Sequence, residues 1–192
     1  MSNVVMLIRH AEKPIGAGRP FGVTDEGVVD PESLTPRGWQ RAGALVRWFG
    51  EQMGPPISGL QVPTHLFASK IGPGSSSRRP HQTLQPLAES LRLTVDTSVP
   101  KADIARLAAA ILAIDGVVLV SWEHLLIPSL AVAITGQPSL TPAIWSDDRF
   151  DVVWVFERDA DGDPFRFRQV LQRVLAGDSD RPIPTTVAPG PG

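Results

Sequence analysis

The sequence predicts an α/β fold, a three-layer α/β/α sandwich around a mostly parallel central sheet. Two observations predict it. Short, continuously apolar runs such as Val4–Ile8 and "GVVLV" before Ser121 have the pattern of strands buried on both faces. Between them lie longer segments whose apolar residues recur at helical spacing, and strands alternating with helices build parallel sheets covered on both sides.

The elements follow in chain order. "VVMLI" is a strand that ends in Arg9 and His10. The next two dozen residues are rich in Gly, Pro and Asp and read as a loop. In "LTPRGWQRAGALVRWFGEQMG", Thr35 is a good N-cap and Pro36 suits the first helical position. Trp39, Ala42, Val46 and Phe49 would form the buried stripe of that helix. "THLFAS", from Thr64 to Ser69, is a second strand, followed by the loop "KIGPGSSS". A helix from about Arg79 carries Leu84, Leu87, Ala88 and Leu91 on its apolar face.

"KADIARLAAAILAID" is a further helix with Ile104, Leu107, Ala108, Ile111 and Leu112 on one side, and Asp103 fits its cap. "GVVLVSWEH" is a third strand, also ending in a histidine. "LLIPSLAVAITG" reads as a buried helix closed by Gly136. "FDVVWVFERDADGDPFRFRQVL" reads as two strands joined by a turn. Phe165, Phe167 and Gln169 alternate there with Arg166 and Arg168, which suits an edge strand with one wet face. Residues 1–176 are expected to form a single catalytic domain, and the Pro- and Gly-rich 177–192 a disordered tail.

Composition narrows the function. The 192 residues carry 18 basic and 20 acidic side chains, a formal charge of −2, so no basic surplus points to nucleic acid. The absence of cysteine excludes disulfides, thiolate catalysis and Cys-based zinc sites. No apolar stretch reaches the roughly 18 residues of a membrane span, and the start lacks the positive region of a signal peptide. A cytoplasmic protein without membrane contact is expected.

In open parallel sheets, ligands bind beyond the carboxyl ends of the strands. The first strand delivers Arg9 and His10 there. The second delivers Ser69 and a loop leading to Arg78 and Arg79, and the third Glu123 and His124. An arginine fork grips a phosphate through paired hydrogen bonds. A neutral imidazole is a good nucleophile toward phosphorus, and a carboxylic acid can protonate the leaving oxygen.

Four segments then resemble one family in order and spacing, across roughly residues 4–156. "RHAE" resembles the Arg-His-Gly-Glu signature of the histidine phosphatase superfamily, also called phosphoglycerate mutase-like. "LTPRGWQRA", "RRPHQTLQPLAE" and "VVLVSWEH" are similar to its helix start, its second arginine segment and the strand carrying its second histidine. The resemblance implies His10 as the phosphoryl-accepting nucleophile. It implies Arg9 and Arg79 as phosphate clamps, since Arg79-x-x-Gln82-Thr83 has the family spacing, and His124 as the second histidine. No metal and no cofactor are implied. The substrate would be a phosphorylated small molecule or a phosphoprotein.

Departures bear on the proton donor. Ala11 stands where glycine is commoner, and "Trp-Glu-His" replaces the usual arrangement around the second histidine. Glu123 joins the pocket only if the backbone has left the strand by then, since neighbours on a strand face opposite ways. Glu12 and Asp103 are weaker candidates. Arg78, His81 and His65 read as surface or packing residues. Lys13 is a solvated charge or steers phosphate, and Ser75–Ser77 are a flexible loop or donors to it. The leading expectation is a metal-independent phosphatase. The alternatives are a mutase, for which no shielding insertion is seen, and a binding module that keeps the pocket without turnover.

Overall fold

A computed structural model describes residues 3–50, 60–160 and 162–185. Its strands are β1 (Asn3–Arg9), β2 (His65–Ala68), β3 (Val95–Asp96), β4 (Val117–Trp122), β5 (Val152–Arg158) and β6 (Arg166–Leu171). Its helices are α1 (Pro36–Phe49), α2 (Arg79–Leu91), α3 (Ile104–Leu112) and α4 (Ile127–Thr135). The six strands form one sheet in the order β3-β2-β4-β1-β5-β6. β3, β2, β4 and β1 run parallel, whereas β5 is antiparallel to β1 and to β6.

Strand alternation divides the core into two layers. Val4, Met6 and Ile8 of β1 meet Leu45, Trp48 and Phe49 of α1 and Leu84 and Leu87 of α2 on one face. Val5 and Leu7 meet Leu107 and Ile111 of α3 and Ile127, Leu130 and Ile134 of α4 on the other. This is the three-layer arrangement that the alternation of elements predicts.

Thr35 caps α1 as expected, its hydroxyl accepting from the Gly38 amide at 3.2 Å. The buried stripe of α1 is rotated from the expected one. Leu45 and Trp48 are buried, while Trp39 and Val46 are half-buried. Trp39 is drawn sideways because its indole donates to the Val23 carbonyl at 2.9 Å. The end of the expected α1 segment, 51–54, lies outside the described residues. Asp103 caps α3 through the Arg106 amide, and Gly136 closes α4 with φ +68°. The two-residue β3 was not anticipated, since so short a strand has no readable period.

The expected disorder from Gly177 is corrected over 177–185. Asp178 accepts from the Val174 and Leu175 amides and from Arg41, and Ile183 is only 3 % exposed. A Pro- and Gly-rich composition describes the backbone but not the side chains that anchor it. Residues 186–192 lie outside the described residues. Among the described residues, no helix is long and apolar enough to cross a membrane.

Candidate active site

Register carries the candidate residues to one end of the sheet. Arg9 pairs with Trp122 and Ala68 with Ser121, so β1, β4 and β2 end side by side. The His10 amide then donates to the Trp122 carbonyl at 3.0 Å, which holds the first turn beyond β1 against the first beyond β4. β4 ends at Trp122, and a turn closed by the Leu126 amide on the Glu123 carbonyl follows. The backbone has therefore left the strand at Glu123, and Glu123 and His124 face the same hollow.

That hollow measures about 60 Å³ and is bordered by His10, Arg79, Glu123 and His124, four of the five site residues read from sequence. Ser69, Ser77, Lys13 and Lys101 complete the rim with Pro80. Arg9, the fifth, is 1 % exposed and does not reach the rim. Its guanidinium lies 3.8 Å from the centre of the Phe150 ring, and Nη2 donates to Asp147 Oδ1 at 2.9 Å. Nη1 donates to the Asp147 carbonyl. The expected clamp role thus meets a carboxylate already in place.

His10 is 5 % exposed. Its Nδ1 lies 2.8 Å from the Ala11 carbonyl, which can only accept, so Nδ1 carries the hydrogen and Nε2 keeps its lone pair. Burial pushes its pKa down to about 3, with Arg9, Arg79 and Lys13 adding to the effect against the Ala11 hydrogen bond. The ring is neutral across the physiological range, as a nucleophile must be. Burial also lowers His124, with Arg9 acting in the same sense and Asp147 opposing.

Arg79 is held from the loop before α1. Nη1 donates to the Pro31 carbonyl at 2.8 Å, and Nη2 stands 3.5 Å from Glu32. Its Nε makes no hydrogen bond, nor do the hydroxyls of Ser69 and Ser77, all three buried on the rim. Buried donors without partners are costly unless a ligand takes them up. Three such donors beside two lysines suit an anion.

Ala11 fills the glycine position without conflict. Its side chain packs with Leu34 and Ala42, and its amide donates to Thr83 Oγ1 at 2.8 Å. Glu12 is removed from candidacy as an acid: Arg41 grips both its oxygens at 3.1 Å, and it is not on the rim. Asp103 serves as the α3 cap. Arg78 is a largely exposed neighbour 3.5 Å from Asp30, and His65 is an exposed residue bonded to Thr64.

Sequence reasoning missed Asp147 and Lys101. Lys101 Nζ lies 2.9 Å from Glu123 Oε2. Asp147 Oδ1 lies 2.9 Å from Arg9, 3.3 Å from His124 Nε2 and 3.6 Å from Lys13 Nζ. Neither residue sits in a motif, and only tertiary structure brings them here. Two wider openings adjoin the hollow. One, of about 710 Å³, lies past Lys13 and Asp147 toward Ile15 and Phe150. The other, of about 480 Å³, lies past Arg79 and Lys101 along the Ser75–Ser77 loop.

No protein-family model matches the chain, and no curated protein matches it in sequence. Solved structures do share its fold. A mycobacterial glucosyl-3-phosphoglycerate phosphatase superposes with a TM-score of 0.53 at 15 % identity, covering 91 % of this chain and all of that one. The complex of that enzyme with VO3 gives 0.54 at 16 % identity, covering 86 % of this chain and 96 % of the other. At such identity the likeness is one of fold, the phosphoglycerate mutase-like α/β sandwich.

Proposed function

We propose that this protein is a phosphatase that hydrolyses a phosphomonoester, free or on a protein, through a phosphohistidine on His10. The observation that carries the reading is the meeting of a neutral, buried imidazole and the unpartnered donors of Arg79, Ser69 and Ser77 around one anion-sized hollow. The phosphatase activity named for the structural neighbours, on the same fold, supports it.

In the first step, the His10 Nε2 lone pair forms a bond to phosphorus as the ester P–O bond breaks in line. Lys101 turns from Glu123 to the phosphoryl oxygens as substrate binds, and the Glu123 carboxyl, protonated once that ion pair has opened, gives its proton to the departing oxygen. In the second step, a water oxygen bonds to phosphorus and the P–N bond returns its electron pair to Nε2. The water proton passes to the Glu123 carboxylate. Arg79, Lys13 and the two serines stabilise the equatorial oxygens, a role that requires no metal ion.

A second reading is a phospho-ligand-binding module, favoured by the Asp147 carboxylate already seated among Arg9, Lys13 and His124. Trapping separates the two. With a phosphoester panel in EDTA, wild type is expected to release phosphate and to form an acid-labile, base-stable phosphoenzyme. His10→Ala should lose both by at least about a thousandfold. Phosphate binding by wild type with no phosphoenzyme and no turnover would establish the module.

A further inference from the structure

We propose that Asp147 is an autoinhibitory residue, an internal carboxylate that holds Arg9, Lys13 and His124 beside the hollow and must be displaced before these groups can take up an anion such as a phosphomonoester. The inference rests on the reading of this hollow as a phosphate site and adds the rule by which ligands enter it.

Three groups from separate parts of the fold meet at one oxygen. Arg9 comes from the end of β1, Lys13 from the loop after it and His124 from the turn after β4. All lie within 3.6 Å of Asp147 Oδ1. A phosphoryl oxygen would be held by the same types of donor. The side chain that fills the place is 72 % exposed, so no packing holds it there. It stands on a turn from Ser146 to Arg149, closed by the Arg149 amide donating to the Ser146 carbonyl at 3.1 Å. Buried Trp145 fixes that turn by donating to the Arg149 carbonyl at 2.9 Å. The backbone is therefore anchored while the carboxylate is free to rotate outward. The Asp147 carbonyl would go on accepting from Arg9 and keep the guanidinium aimed while its second nitrogen turned to the ligand.

Competition decides the exchange. An incoming anion must displace a carboxylate already tethered at high effective concentration, and that cost is the same whichever anion enters. A dianion brings twice the charge to Arg9 and Lys13. The resident carboxylate therefore weakens monoanions and dianions by the same factor, and the dianion keeps its advantage. The larger outer opening is bordered by Lys13 and by Asp147 itself.

The test is calorimetric titration with inorganic phosphate at pH 8, where the dianion dominates, and with dimethyl phosphate, a monoanion. The proteins are wild type, Asp147→Asn, Asp147→Ser and the charge-matched control Asp159→Asn at the opposite end of the sheet. Both Asp147 variants should bind phosphate about tenfold more tightly than wild type. They should tighten dimethyl phosphate by the same factor, whereas Asp159→Asn should change neither affinity by more than about twofold. Thermal unfolding of each variant verifies that it is folded. Phosphate bound equally or more weakly by both Asp147 variants overturns the inference alone. Phosphate bound by no protein removes the anion site, and the functional reading and this inference fall together.

Discussion

His10 illustrates how one residue links chemistry to stability. Its folded pKa is pushed down to about 3 by burial, against an ordinary value of 6.5. Between those values the unfolded chain binds the proton and the folded chain does not. The contribution to stability is therefore fully present above about pH 6.5 and is lost as pH falls toward 3. Denaturant unfolding between pH 7 and 4.5 should show wild type losing stability more steeply than His10→Asn, by up to about 1.4 kcal/mol per pH unit. Equal slopes for the two proteins would show that the ring is not held neutral. At this scale the site was legible where a residue type is tied to a strand end. His10, His124, Arg79 and Glu123 all reach the hollow. Asp147 and Lys101 were illegible, because each enters the site from a loop with no periodicity and finds its partner only across the fold.

At the scale of elements, Thr83 joins the turn after β1 to α2. Its hydroxyl accepts from the Ala11 amide and donates to the Arg79 carbonyl, each at 2.8 Å. Thr83→Val keeps the shape but leaves the buried Ala11 amide without a partner, a loss of about 1–3 kcal/mol. Urea denaturation should show the midpoint falling with an unchanged slope. Gly38 is bound to the same turn by closeness: a Cβ there would stand 2.5 Å from the Glu12 carbonyl. That contact explains a glycine inside α1, where helix propensity alone disfavours it. The principal helices and strands were readable from apolar periodicity. The orientation of α1 was not, because the buried Arg41 and the tether on Trp39 turn the helix in a way no apolar pattern records.

At the scale of the whole molecule, Arg41 ties the first turn of the site to the last described segment. It is 2 % exposed and bonds Glu12, Gln172 and Asp178, at 2.7 Å to the last. Removing one partner of a buried ion cluster strands the others, so Arg41→Ala should cost about 3–5 kcal/mol. Limited proteolysis should then cut 177–185 well before the sheet, and a tail as resistant as in wild type would disprove the anchoring. The mostly parallel sandwich was legible because alternating strand and helix patterns leave few other layerings. The anchored tail was not, because its low-complexity composition hides Asp178 and Ile183. A last consequence concerns the stretch before α1. The Arg78 amide bonds the Glu32 carbonyl, the Gln82 side chain bonds Ser33 and Leu34, and Arg79 bonds Pro31. Residues 31–34 and the opening turn of α2 are therefore one mechanical cassette. A chimera that imports either half without its mate would carry an arginine in the right position of the chain and the wrong place in the crevice.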